Sequence, residues 1–347
     1  MVAMSGGVDS SVAASLLLEE GHEVTGVTLK LWDGPSDTGC CSVADVDDAR
    51  RVASQLGIDY HVANMAEEFT ERVVDPYVAS HRLGHTPNPC IECNRHLKFG
   101  ALLEMMERLG FDALATGHHA RIRRDGGRVD LVRGVDRSKD QSYVLSMLSS
   151  SQLARLALPV GEMTKSEVRD HARLKGLRTS AKPDSQDVCF IQSGPGRKGF
   201  LAQRSAITAG DVVDVDSGTV VGTVEALELV TLGQRQGLGL DENGAKRVAV
   251  RVDMAGRRVE VTTPERSMIR ELALDEDSLT WVHEPMGPAA TPVIAQLRSH
   301  AAPVGSSFFG DRLVLDQPHS PVAPGQTAAF YAIDDPDVVV GSGIVAL

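Results

Sequence analysis

In the first half of the chain, short apolar runs alternate with longer segments whose apolar residues recur at helical spacing, the rhythm of a parallel sheet covered by helices. Val2–Met4 leads through a loop into a predicted helix Ser10–Glu20, with Val12, Leu16 and Leu17 near one face and Gly21 ending it. Val24–Leu29 reads as the next strand, Val43–Leu56 as a helix closed by Gly57, Asp59–Val62 as a strand and Leu97–Leu109 as a helix closed by Gly110. Ala113–Ala115 runs into Thr116-Gly117-His118-His119. Arg121–Arg124 and Val129–Val132, joined by Asp125-Gly126-Gly127, predict a hairpin. Helical pattern returns at Ser151–Leu156 and at Lys165–Lys175, the second opened by a Thr164/Glu167 capping box and closed by Gly176.

Past the glycine-rich stretch Ser193–Gly199 the pattern changes to short valine-rich runs punctuated by Gly, Asp and Pro: Val212–Val215, Val220–Val224, Val248–Val252, Val259–Thr262, Leu279–Val282, Val293–Leu297, Leu313–Leu315 and Ala328–Ala332. This predicts an all-β half made of small barrels. The expected division is 1–194, 195–264 and 265–347, with boundaries near Gly194 and Pro264 and no internal repeat.

The length, 347 residues, leaves room for two or three domains with their own cores, and 42% hydrophobic with 24% charged residues excludes a disordered chain. Gly6 and Asp9 interrupt any signal-peptide core, and no apolar run reaches membrane-spanning length, so a cytoplasmic protein is expected. In that compartment Cys40, Cys41, Cys90, Cys93 and Cys189 stay reduced and serve chemistry or metal binding rather than a disulfide framework. A net charge of −12 excludes bulk electrostatic attraction to nucleic acid. Locally, residues 121–139 carry seven basic against three acidic side chains, a net +4 that reads equally as a phosphate contact or as a solvated hairpin.

Ser5-Gly6-Gly7-Val8-Asp9-Ser10 lies between an apolar strand and a helix. Its glycines let backbone approach an anion, and the helix N-terminus aims free N–H groups at it. No lysine occupies the position it takes in the common P-loop, so the loop is suited to pyrophosphate rather than to a β,γ-phosphate cradle. The hexapeptide resembles that of the PP-loop ATP pyrophosphatases. Further stretches resemble the bacterial tRNA-uridine 2-sulfurtransferases almost end to end: Thr86-Pro87-Asn88-Pro89-Cys90-Ile91-Glu92-Cys93-Asn94, Ala115-Thr116-Gly117-His118, Lys139-Asp140-Gln141-Ser142-Tyr143, Asp187-Val188-Cys189-Phe190-Ile191, Leu232-Gly233-Gln234-Arg235-Gln236-Gly237-Leu238-Gly239 and Pro324-Gly325-Gln326.

The resemblance implies an adenine-nucleotide α-hydrolase-like parallel-sheet domain followed by two small, mainly β domains, and ATP-dependent 2-thiolation of the wobble uridine of tRNA. It assigns Ala3, Met4, Ser5, Gly6, Gly7, Val8, Asp9, Ser10, Leu29 and Gly117 to ATP, and Asn88, Pro89 and Cys90 to the target base. His118, Lys139, Asp140, Gln141, Arg298, Ser299 and Gln326 fall to tRNA. Cys93 becomes the nucleophile and Cys189 the persulfide carrier. ATP and Mg²⁺ are implied, with tRNA for Lys, Glu and Gln and a persulfide donor such as a cysteine desulfurase or relay protein as partners. Two departures are visible. The family has a few more residues before the loop, which would put the start upstream of Met1, and many members carry Asp where Cys90 stands.

The residue types also make sense without the family. A pyrimidine carbonyl oxygen leaves poorly, adenylation makes it leave as AMP, and the incoming sulfur must come from a thiolate or persulfide. Cys93, just before Arg95 and Lys98 at a helix start, sits where a thiol becomes acidic. Cys189, between Val188 and Phe190, reads alternatively as a core cysteine. His118 and His119 read equally as strand-end residues, and Cys40 and Cys41 have no assignment. Lys182 and Arg197-Lys198 are expected to order a lid. Two alternatives stay open: a small-molecule synthetase of the PP-loop group, and a non-catalytic nucleotide-binding or iron–sulfur module with Cys90, Cys93 and Cys189 as ligands, for which a [4Fe–4S] cluster is the form expected.

Overall fold

The computed structural model describes residues 1–32, 43–184, 188–192 and 194–346. Cys40, Cys41 and Asp187 lie outside the described residues.

The first part of the chain supplies β1 (Val2–Ala3), β2 (Thr25–Lys30), β3 (Asp59–Asn64), β4 (Leu114–Ala115), the hairpin β5 (Ala120–Asp125) and β6 (Arg128–Arg133), and β7 (Leu156–Ala157). Five of these form a parallel sheet in the order β3-β2-β1-β4-β7. Strand order reverses between β1 and β4, and the crevice beyond their carboxyl ends is where a doubly wound sheet binds its ligand. On one face the helix Val8–Glu19 buries Val12, Ala13 and Ala14 completely against Ala49, Val52, Ala53, Val168 and Ala172. Its small side chains bring that helix close to the sheet. The Thr164/Glu167 capping box is present at Lys165–Leu174. The helix expected at Ser151–Leu156 is instead one turn, Ser150–Leu153, because Leu156 and Ala157 leave it to pair with β4.

Residues 66–82 and 89–108 are helical, each interrupted by a wide π-type stretch, Thr70–Val74 and Cys93–Ala101. Beyond them β8 (Gly210–Asp214), β9 (Val220–Val224), β10 (Val248–Asp253) and β11 (Arg258–Thr262) form a four-stranded sheet. Last come β12 (Ile269–Trp281), β13 (Thr291–Gln296), β14 (Val304–Phe308), β15 (Arg312–His319), β16 (Thr327–Tyr331) and β17 (Val338–Val345). Pairing of β12 with β17 closes these six strands into a barrel around Trp281, Phe308 and Phe330. The β5–β6 hairpin turns through Gly126 and Gly127, both left-handed. It joins β17 of the barrel through Val132↔Val338 and Leu131↔Val339, so the N-terminal and C-terminal regions share a sheet.

A second joint is polar. His81 is buried, its Nδ1 lies 2.8 Å from the Glu228 carbonyl of the middle region, and its Nε2 has no partner. Burial pushes His81 down to about 4, the Glu228 carbonyl opposing only in part. The folded state therefore binds fewer protons than the unfolded chain once pH falls below the ordinary histidine value of 6.5. Stability is expected to be intact above that value and to fall by on the order of 3 kcal/mol as pH drops towards 4. Thermal melts across that window should show His81→Gln flattening the profile. An unchanged slope would remove His81 as its source.

Candidate functional site

The loop after β1 is built for an anion. Gly7 caps the helix Val8–Glu19 without a side-chain hydrogen bond, while Ser10 Oγ accepts from the Ser5 N–H at 3.2 Å and donates to the Gly7 carbonyl at the same distance, folding the loop over the helix start. Gly6 has φ +73°, and any Cβ there would overlap the Asp45 carbonyl. A Cβ on Gly117, just past β4, would come within 2.5 Å of the Ser10 nitrogen. Both glycines thus permit backbone approaches that no other residue allows. Met4 and Leu29 are buried beside the loop, and Ala3 is half-buried.

Asp9 points into a charged cluster. Lys165 Nζ donates to both its oxygens at 2.7 and 2.8 Å, and His119 Nε2 lies 3.0 Å away. Burial works to raise the Asp9 carboxyl, but the His119 and Lys165 contacts outweigh it and hold it below its usual value. Lys165 also meets Asp184 at 2.9 Å, and Asp184 gathers Lys139 at 2.9 Å and Arg169 at 2.7 Å. Against the opposing effect of burial, Lys139 and Lys165 bring the Asp184 carboxyl down to about 2. Lys182 donates to the Gly6 carbonyl at 2.9 Å, to Asp48 at 2.8 Å and to Asp45, so it ties the nucleotide loop rather than hanging over it. Sequence reasoning did not find Asp184 or Lys165 and left His119 open between a site residue and a strand-end residue. The only local signal was Lys165 opening a capped helix.

Asn88 is the N-cap of the next helix, its Oδ1 accepting from the Cys90 N–H at 3.1 Å, and Pro89 follows it. Cys90 is exposed, whereas Cys93, at the start of the π-type stretch, is buried. Cys189 is half-buried and packs against the same apolar cluster as Cys93, Leu29 and Trp32. Its neighbour Phe190 stands at 5.1–6.1 Å from the rings of Trp32, Phe69, Tyr77 and Phe200, which anchors this segment. Arg95 pairs with Glu92 at 3.5 Å, so its charge is shared with a carboxylate and is not devoted to Cys93. The [4Fe–4S] expectation does not fit: among the described residues no three His, Cys, Asp or Glu side chains gather as a metal site, and Cys90 faces solvent while Cys93 is buried.

Most residues that the resemblance assigns to tRNA make internal bonds. His118 is buried, its Nδ1 2.7 Å from Thr116 Oγ1 and its ring beside Phe99, so in this conformation it presents no surface to a polynucleotide. Burial drives it well below the ordinary histidine value, which keeps it neutral. Asp140 accepts from Arg133 at 2.9 Å, from the Gly134 and Ser142 N–H groups and from the Ser142 hydroxyl. Gln141 Oε1 accepts from the His119 N–H at 2.8 Å. Arg298 donates to the Pro321 carbonyl at 2.7 Å, the Ser299 carbonyl accepts from Gln296, and Gln326 Nε2 donates to the Thr86 carbonyl.

The basic segment 121–139 is likewise neutralised from within. Arg121 and Arg137 face Asp337, Arg123 pairs with Asp335 at 2.8 Å and approaches Asp130 at 3.4 Å, and Arg124 donates to the Leu156 carbonyl at 2.8 Å. Arg128 pairs with Asp130 at 2.8 Å, and Arg133 stacks 3.7 Å from the Tyr331 ring centroid. Arg121, Arg123, Arg133 and Arg137 join the hairpin to the barrel, Arg124 and Arg128 bond within the first region, and together they are not a free phosphate patch. Replacing Arg121, Arg123 and Arg124 together by Ala should leave RNA affinity within about twofold while lowering the melting temperature, because exposed pairs contribute little singly and the carbonyl contacts are structural. Arg133→Ala should cost about 3–5 kcal/mol, since it leaves the Asp140 carboxylate buried without its cation. Filter binding over several salt concentrations, with parallel melts, checks both.

Residues 1–193 match the family described as "tRNA methyl transferase HUP domain", residues 198–262 its "PRC-barrel domain" and residues 273–345 an "Aminomethyltransferase beta-barrel domain". The chain is 43% identical to a protein of Roseiflexus sp. (strain RS-1) named tRNA-specific 2-thiouridylase MnmA, over 100% of this chain and 98% of that one. Proteins of the same name from Mycolicibacterium paratuberculosis, covering 100% and 98%, and from Carboxydothermus hydrogenoformans, covering 99% and 96%, are also 43% identical to it. No helix among the described residues is long and apolar enough to cross a membrane.

Proposed function

The chain belongs to the tRNA-specific 2-thiouridylase family, and from that premise we propose that it adenylates O2 of a wobble uridine in tRNA and replaces it with sulfur carried on Cys189. The observation that carries the reading is at the switch point between β1 and β4. There a loop kept open by Gly6 and Gly117 adjoins, through Leu29 and Trp32 at the end of β2, the apolar cluster that holds both Cys93 and Cys189. An α-phosphate approached by the uridine oxygen would lie over the helix start, with the departing pyrophosphate against the loop N–H groups. Magnesium would supply charge neutralisation on the phosphates, and Asp9 would hold it by exchanging the Lys165 ammonium that now engages both its oxygens.

The terminal sulfur of a Cys189 persulfide attacks the activated ring carbon and AMP leaves. The Cys93 thiolate then attacks the Cys189 sulfur, and the bond between Cys189 and the transferred sulfur breaks to release the thiocarbonyl. A Cys93–Cys189 disulfide remains, which an external thiol returns to two thiols with two electrons. Burial of Cys93 and partial burial of Cys189 favour the reading, because water that reached the adenylated base would hydrolyse it. The expected substrates are the tRNAs for Lys, Glu and Gln, and the expected donor is a cysteine desulfurase or a protein relaying its persulfide.

Mass spectrometry of nucleosides from tRNA incubated with the protein, Mg-ATP and a persulfide source tests the reading, with AMP and pyrophosphate quantified in the same tube. Stoichiometric 2-thiouridine, AMP and pyrophosphate are expected. ADP with orthophosphate, or no thiolated nucleoside, would overturn it.

A further inference from the structure

The loop carrying Asn88, Pro89 and Cys90 is held by both β regions. The Thr86 N–H donates to the Pro324 carbonyl at 2.8 Å and the Thr86 carbonyl accepts from Gln326 Nε2, so the Pro324–Gln326 turn binds both backbone groups of one residue. Gly325 lies against the loop with φ +87°, where any Cβ would stand 3.2 Å from the Pro87 nitrogen. That turn is locked to β17, since the Gly325 N–H donates to the Val345 carbonyl and the Val345 N–H returns a bond to the Gln326 carbonyl. From the middle region, Thr231 Oγ1 accepts from Thr86 Oγ1 at 3.3 Å, and Gly84 packs against Val252. Arg298 and Gly233 meet at the Pro321 carbonyl, closing the junction between the two β regions.

Resting on the thiolation reading, we propose that Gln326 and Thr231 are positioning residues: they set the conformation of the base-binding loop through Thr86, and act on turnover rather than on RNA affinity. The route to the chemistry is short. Pro87 and Pro89 restrict the backbone on either side of Asn88, so a displacement at Thr86 is not absorbed before the helix that begins at Pro89 and carries Cys93. The barrel is then a template for the reacting end of the catalytic region as well as a surface for tRNA. It also explains why Arg298 and Gln326 have internal partners.

The test uses the full chain and two near-isosteric variants: Gln326→Glu, which keeps the length and removes the donor, and Thr231→Val, which removes one hydroxyl. Saturation kinetics with tRNA, RNA dissociation constants and backbone hydrogen exchange of residues 84–92 are measured for each. The tRNA dissociation constant should stay within about twofold while kcat falls about tenfold or more, as a loop misplaced by a fraction of an ångström loses its reacting geometry. Exchange across residues 84–92 should accelerate by about tenfold, the loss of one hydrogen bond's worth of protection. A raised KM or dissociation constant with kcat unchanged, or exchange at the wild-type rate, overturns the proposal. If the wild type forms no 2-thiouridine, the thiolation reading fails on its own, and the exchange measurement alone decides whether the turn positions the loop.

Discussion

Gly117→Ala is expected to reduce ATP-dependent turnover by about a hundredfold or more, the effect of displacing a reacting group by roughly an ångström. Gly117 is not a left-handed residue, so the effect does not come from backbone strain. It comes from space: an added Cβ would lie 2.5 Å from the Ser10 nitrogen and 2.6 Å from the Asp9 carbonyl carbon, both in the first turn of the helix that aims its N–H groups at the phosphates. Either that turn moves away from β4 or the Thr116–Gly117 strand end does, and each opens the cradle. Gly6→Ala adds left-handed strain to a collision with the Asp45 carbonyl and should lose stability as well as activity. Gly126→Ala is the control, since it is left-handed with nothing within 4 Å, and it should cost about 1 kcal/mol of stability without touching nucleotide affinity. Calorimetric titration with ATP and pyrophosphate release distinguish them. Wild-type ATP affinity in Gly117→Ala would remove Gly117 from the site.

Gly6 was legible in the sequence because its signal is local, whereas Gly117 was assigned only through the resemblance. Six consecutive residues carry the whole requirement of the loop: a tight turn, a bare backbone and a helix start. The strands most easily read were those whose valines alternate or cluster, as in β9 and β11. β14, Val-Gly-Ser-Ser-Phe, and β17, with two glycines and a serine, were not legible, because a barrel wall accepts small residues where neighbouring strands crowd. β7 is two residues long and is a strand only because β4 lies beside it. The charged cluster beneath the loop fails for a different reason. Lys165 meets Asp9 across 156 positions, and Arg123 meets Asp335 across 212, so neither pairing leaves a trace in local composition. Counting charge over residues 121–139 therefore gave an excess that the fold offsets with acids outside that window, Asp335 and Asp337 from the barrel and Asp140, Glu162 and Asp184 from the first region.

The two buried-side cysteines should divide the reaction cleanly. Cys93→Ser and Cys189→Ser are each expected to lower 2-thiouridine formation by about a thousandfold or more, because a serine hydroxyl neither carries a persulfide nor attacks one at neutral pH. Both variants should still release pyrophosphate when tRNA is added, Cys93→Ser with AMP for a single turnover and Cys189→Ser with AMP retained on the base, since the nucleotide loop and the cluster around Asp9 lie on other elements. That separation places sulfur transfer downstream of activation. Cys90 differs in kind. It is exposed at the first turn of its helix, its N–H held by Asn88, and Cys90→Asp preserves that backbone bond. Under the relay, Cys90→Asp in anaerobic, iron-free buffer with a persulfide donor should keep thiolation within about threefold of wild type, as the step it would disturb is base placement alone. Non-reducing mass analysis after one turnover without added thiol should find the Cys93–Cys189 bond in wild type and in Cys90→Asp. If the wild type is inactive in that buffer until iron is restored, and Cys90→Asp stays inactive with it, the three thiols act together on a metal and the relay between Cys189 and Cys93 is wrong.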